Sequence, residues 1–107
     1  MVWTMVSPTD YPVLEMAVLS VKLGQAEAFK VAFSAAEPII SAAHGFGGLE
    51  LRRCVENDHR FLLLVKWDTV ASHETGFRGS LAYQEWKRLL HHFYEPFPTV
   101  EHYVALI

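Results

Sequence analysis

Trp67 and His73 are the two side chains whose chemistry and spacing stand out. Trp67 closes the apolar run FLLLVKW at 61–67. Its indole N–H is a donor with no acceptor capacity, so it needs a partner once buried. Two roles are open to it: a hydrogen bond to a substrate oxygen, or a place in the core. His73 follows within the next segment, and its ordinary pKa of about 6.5 suits proton transfer near neutrality. It stands i, i+4 from Phe77, so the two share a face of any helix there. It is a candidate base for a phenolic proton or, more plainly, a boundary histidine on a short helix. Tyr83, Trp86, Phe93 and Tyr94 form an aromatic stripe that suits either a core or the wall of a pocket. Arg78, between Gly76 and Gly79, is an anion contact or a solvated side chain.

Other residues point away from common chemistries. His91 and His92 are adjacent and project about 100° apart on a helix, so they cannot chelate one metal together. His91 with Glu95 at i+4 supplies two ligands, short of a site. Cys54 lies mid-strand with no cationic helix end beside it and is read as packing. No Ser-His-Asp order, phosphate loop or dinucleotide fingerprint is present. These patterns predict neither metal nor other cofactor.

The elements that must position these groups follow from periodicity. In 107 residues, 51% hydrophobic and 20% charged, there is room for one globular domain. Residues 1–12 hold two prolines and no period and are read as an N-terminal arm, with Trp3 and Tyr11 available to pack on the body or on a partner; 13–107 form the domain. Leu14 to Leu23 is apolar at both parities, Met16 and Val18 on one side, Ala17, Leu19 and Val21 on the other, which predicts a strand covered on both faces. Gln25 to Ala43 reads as a helix with Phe29, Phe33, Ala36 and Ile40 on one face, broken or kinked at Pro38 and closed by His44-Gly45. Phe46-Gly47-Gly48 reads as a loop. Leu49 to Val55 alternates as a half-exposed strand, and Phe61 to Trp67 pairs with it in a hairpin turned at Glu56–His59. Asp68 or Thr69 caps a short helix through Phe77, interrupted by Gly76 and Gly79. Ser80 caps a second, with Tyr83, Trp86, Leu90 and Phe93 inward, ended by Pro96 and Pro98. Val100 to Ile107 is the last strand, with His102 and Tyr103 facing opposite ways.

The order β-α-β-β-α-β predicts an α+β, ferredoxin-like fold: a four-stranded antiparallel sheet with both helices on one face. The second apolar parity then predicts a homodimer packed sheet on sheet. A net charge of −3 with scattered basic residues speaks against nucleic acid. Apolar runs well short of the ~20 residues of a membrane span, a single cysteine and no signal-peptide pattern favour the cytoplasm.

The stretch 61–106 resembles the C-terminal two-thirds of antibiotic biosynthesis monooxygenase domains, through Trp67, Asp68-Thr69, Ser80, Tyr83, Trp86, Pro96 and Pro98, and His102-Tyr103. The likeness extends more loosely to Gly24 and Gly47-Gly48, covering roughly 14–107. It implies a dimeric α+β barrel and a cofactor-independent monooxygenase that uses dioxygen on a small phenol- or quinol-type aromatic. A non-catalytic ligand-binding or stress-linked dimer is the alternative. The family's haem-degrading members imply a third reading, but at the positions of that pattern Ala17 stands for an Asn and Phe77 for a His, while Trp67 fits. The expected pocket lies between sheet and helices, lined by Trp67, His73, Phe77, Tyr83 and Trp86, with Trp67 and His73 the catalytic pair and Trp67 the polar anchor.

Overall fold

A computed structural model describes residues 12–107. Most of the expected arm, with Trp3 and Tyr11, lies outside the described residues. The chain runs β1 (Val13–Ser20), α1 (Ala26–Ser41), β2 (Phe46–Arg53), β3 (Arg60–Trp67), a wide turn Ser72–Phe77, α2 (Leu81–Leu90), a single tight turn His91–Phe93 and β4 (Val100–Tyr103). The strands form one antiparallel sheet in the order β2-β3-β1-β4. This is the ferredoxin-like α+β arrangement that the element order predicts.

Strand parity decides the layers. Val13, Ala17 and Leu19 of β1 and Phe61, Leu63, Val65 and Trp67 of β3 are buried on one face, in register as Val13↔Trp67, Ala17↔Leu63 and Leu19↔Phe61. Phe29, Phe33, Ala36 and Ile40 of α1 and Trp86 and Leu90 of α2 close over them. Each large apolar side chain so buried contributes about 1.5–3 kcal/mol. Phe29 is the hub, its ring centroid 5.0 Å from Phe61, 5.7 Å from Phe93 and 5.8 Å from Phe33. On the opposite face Leu14, Met16, Leu62 and Leu64 are half-buried and Val18 is exposed.

Several boundaries differ from the expectation. The α1 helix continues through Pro38 without a break: a proline deletes one backbone donor, and the buried Ala36 and Ile40 hold the helix on either side of it. Phe46-Gly47-Gly48 is strand, not loop, with a bulge between Phe46 and Gly48. Val55 lies beyond the last pair, where the Cys54 N–H donates to the Arg60 carbonyl, and is exposed. The first strand ends at Ser20, leaving Val21 in an isolated bridge to Tyr94. The last strand stops at Tyr103, opposite Leu14; further along its partner comes Pro12, which has no N–H to give.

Two local devices deliver the segment that carries His73. Gly45 has φ +83°, and a Cβ there would run into the side chains of Asp68 and Ser72, so the left-handed close of α1 belongs to glycine. Thr69 Oγ1 then accepts from the Ser72 N–H at 3.0 Å, as the sequence suggests for a cap. Gly76 does not interrupt the turn that follows. The Arg78 N–H donates to the His73 carbonyl, an i to i+5 bond, so Ser72–Phe77 is wound wider than an α-helix. Such insertions recur at functional sites. Ser80 Oγ accepts from the Tyr83 N–H and starts α2 as expected.

Candidate functional site

The site is assembled by three elements meeting at one end of the helix-covered face. Glu15 of β1 shares the parity of Val13 and Ala17, so its carboxyl points inward and is 5% exposed. Its strand neighbours are Val65 on β3 and His102 on β4, and Trp67, two residues beyond Val65, lies on the same face one step along β3. The wide turn lays His73, 3% exposed, across this group. A buried carboxyl without partners costs several kcal/mol, and here two neighbours meet it, one of them backed by a third side chain. Trp67 Nε1 donates to Glu15 Oε1 at 2.8 Å, His73 Nε2 lies 3.3 Å from the same oxygen, and His73 Nδ1 lies 2.7 Å from His102 Nε2. His102 Nδ1 faces Glu74 Oε1 at 3.9 Å.

Burial dominates the electrostatics. It holds the Glu15 carboxyl above the usual carboxylate range, against the opposing pull of the Trp67 hydrogen bond and of the Arg78 guanidinium. Burial, with Arg78 and His102 nearby, pushes the His73 imidazole down to about 3. His102 is lowered by burial, with Glu74 opposing, and His91 falls to about 4 through burial and the charges of Lys87 and Arg78. The Tyr94 phenol is pushed up by burial. His73 and Glu15 therefore meet as a neutral imidazole and a carboxyl group, not as an ion pair, despite their ion-pair distance.

Four of the five expected wall residues line a cavity between sheet and helices. His73, Phe77, Tyr83 and Trp86 do so, with Phe77 5.4 Å from Tyr83 and 5.8 Å from Trp86 between ring centroids. The free space is about 50 Å³, enough for a few waters at roughly 10–15 Å³ each. Trp67 is corrected on two counts. It is 1% exposed and sits behind the wall, stacked on His73 at 5.3 Å, and its N–H is taken by Glu15. The carboxyl at the wall is that of Glu15, which accepts from Trp67 behind it.

Glu15, His102 and Arg78 complete the group. The signal for Glu15 was its parity: a lone carboxylate in the inward row of Ala17, Leu19 and Val21. His102 is 14% exposed in its side chain and faces the helices, and Tyr103 faces away, as alternation requires. Arg78 borders the cavity, and among the described residues it makes no ion pair. Among the described residues no three His, Cys, Asp or Glu gather as a metal site, and no helix is long and apolar enough to cross a membrane.

The family model described as antibiotic biosynthesis monooxygenase matches residues 12–89. An uncharacterized protein of Bacillus subtilis (strain 168), YczJ, is 53% identical over 91 residues, which cover 85% of this chain and 96% of that protein. A crystal structure from Bordetella bronchiseptica, provisionally assigned as an antibiotic biosynthesis monooxygenase, superposes with a TM-score of 0.86 at 31% identity, over 91% of this chain and 99% of that one. SnoaB, a cofactor-independent oxygenase from Streptomyces nogalater, has a TM-score of 0.73 over 91% of this chain and 95% of its own; at 16% identity it is similar in fold.

Proposed function

Because this chain belongs to the antibiotic biosynthesis monooxygenase family, we propose that it is a cofactor-independent monooxygenase acting on a small phenol- or quinol-type aromatic in the sheet–helix cavity. The observation that carries this reading is Glu15: a buried carboxyl with a raised pKa, held on the cavity wall by Trp67 and His73 beneath aromatic rings. The likeness in fold to SnoaB supports it.

The reaction needs no added reductant. A phenol with an open para position and one dioxygen give a quinone and one water, the substrate supplying all the electrons. Glu15 takes the phenolic proton; a carboxyl made more basic by burial is better matched to that task than an imidazole whose pKa lies near 3. The phenolate passes one electron to dioxygen. The two radicals join at the para carbon, and the resulting peroxide loses water. Arg78, beside the cavity, stabilises the phenolate and reduced oxygen through its charge. Phe77, Tyr83 and Trp86 flank the ring and exclude water. Trp67 and His73, the expected catalytic pair, act through Glu15 by fixing its position and charge. The free space requires a small substrate and movement of the exposed Phe97 at the cavity mouth. His73 has both ring nitrogens engaged, by Glu15 and by His102, which disfavours it as a haem ligand.

The test is oxygen uptake and quinone absorbance with phenol and 1-naphthol. Glu15→Gln should lower the rate about 10²- to 10⁴-fold, the usual worth of a positioned acid–base group. Tight binding of these phenols with no oxygen uptake would favour a non-catalytic binding protein, and a Soret band on adding haem would favour the haem reading. A homodimer in the cytoplasm is part of the proposal. The half-buried Leu14, Met16, Leu62 and Leu64 with the exposed Val18 and Tyr103 make an apolar sheet face, which a second copy would cover.

A further inference from the structure

The groups that hold Glu15 extend beyond what orientation requires. Trp67 alone gives the carboxylate a charge-assisted partner. Yet His73 and His102, hydrogen-bonded to each other, continue from it as a line of polar contacts that ends at Glu74, 53% exposed in its side chain. The spacings along the line are 3.3 Å, 2.7 Å and 3.9 Å. Two imidazoles joined nitrogen to nitrogen can satisfy both contacts only in matched tautomers, because each ring then has one N–H and one bare nitrogen.

We propose that Glu15, His73 and His102 form a proton conduit from the cavity to solvent beside Glu74, in which the two imidazoles exchange tautomers together. The proposal rests on the acid–base role given to Glu15. With Glu15 ionised, His73 Nε2–H donates to it, His102 Nε2–H donates to His73 Nδ1, and His102 Nδ1 is bare. The second state forms when a proton enters at His102 Nδ1 and each ring passes its own Nε2 proton one place inward, the last to Glu15. The Glu15 hydroxyl then faces His73 Nε2, His73 Nδ1–H donates to His102 Nε2, and His102 Nδ1–H points outward. From this state Glu15 gives a proton to the peroxide and takes one from the next phenol. Three hops restore the first state: the Glu15 proton moves to His73 Nε2, the His73 Nδ1 proton to His102 Nε2, and the His102 Nδ1 proton leaves for water or Glu74. One proton enters, one leaves, and no imidazolium forms. The final 3.9 Å gap exceeds a direct hydrogen bond and suits a bridging water.

The surroundings favour this neutral exchange over a charged one. The titratable groups facing the line are Arg78 beside both rings and Glu15, Glu74 at the outer end, and Tyr94, Tyr83 and His91 across the cavity. Burial and Arg78 both oppose an imidazolium at His73 and His102. Glu101 is turned to the other sheet face, where it accepts from the Tyr103 hydroxyl.

Nitrogen-15 NMR of the histidine rings in the intact protein tests the conduit without turnover. As pH rises through the Glu15 transition, followed by its carboxyl carbon signal, both rings should change from the Nδ1–H to the Nε2–H tautomer in one shared step. Glu15→Gln should abolish that step at both rings. Fixed tautomers through the Glu15 transition, or an imidazolium at either ring near neutral pH, would overturn the conduit. The two readings fail separately. Phenol turnover with fixed tautomers removes the conduit and leaves the oxygenase, whereas a shared switch with no oxygen uptake removes the oxygenase and leaves a proton path.

Discussion

The two faces of one sheet are built from alternate residues of the same strands, yet they hold different chemistry. Toward the helices, β1 and β3 present Val13, Ala17, Leu19, Phe61, Leu63 and Val65, and among them the buried carboxyl of Glu15. Toward the other side they present Leu14, Met16, Val18, Leu62 and Leu64, and the charged groups there, such as Glu50, Arg52 and Lys66, are exposed. Apolar content alone does not separate the faces. What separates them is that titratable side chains are withdrawn from water only where a loop and a neighbouring strand bring partners to meet them. The helix side is the candidate site because Trp67 and His73 meet Glu15 there, with His102 behind His73; the open side has the makings of a contact surface.

The largest effect that would break this contrast concerns acid. In the folded state His73 is lowered to about 3 and His91 to about 4, with His102 lowered as well. Below about pH 6.5 the unfolded chain binds more protons at these rings, so stability should fall as pH drops from there toward their folded values. Glu15 acts in the opposite sense: its folded pKa is raised, so its contribution is present below the usual carboxylate range and is lost as pH rises through the folded value. Three rings against one carboxyl give a net loss on acidification, on the order of a few kcal/mol. Urea unfolding at neutral and acid pH measures it. Stability that stays level or rises on acidification would mean that the rings are not held neutral by burial.

A smaller effect isolates the partner of the carboxyl. Trp67→Phe removes the donor to Glu15 and leaves a buried acceptor short by one bond, a cost of about 1–3 kcal/mol at neutral pH. The cost should shrink at acid pH, where Glu15 is protonated and depends less on the donor. Equal destabilisation at both pH values in thermal melts would reduce Trp67 to a packing residue.

The smallest effect on the fold is expected on the open face. Val18→Asp places a charge at a 45% exposed position and should change monomer stability by no more than about 0.5 kcal/mol. It should nevertheless dissociate the proposed dimer, as read by light scattering at micromolar concentration. A variant that remains dimeric would show that a second copy does not use this face.

By itself the sequence determined the order of elements, the hairpin, the caps at Ser80 and Gly45 and the inner face of α1, because each is set by local periodicity or by one residue's backbone preference. It also placed His73, Phe77, Tyr83 and Trp86 around one cavity, since strand parity and helical spacing fix direction. Helix continuity through Pro38 and the strand at Phe46–Arg53 were decided by tertiary contacts, which override a missing donor and two glycines. The roles at the site were decided there too. Whether the Trp67 N–H meets a ligand or a carboxylate depends on what lies across β1 and β3, and the register Val13↔Trp67 sets that. The pairing of Glu15 with His102 joins residues from opposite ends of the chain, and the wide turn at Ser72–Phe77 lowers His73 onto both. Spacing along the chain carries no record of such distances, because they are fixed only when the sheet closes and the carboxyl must find its donors out of water.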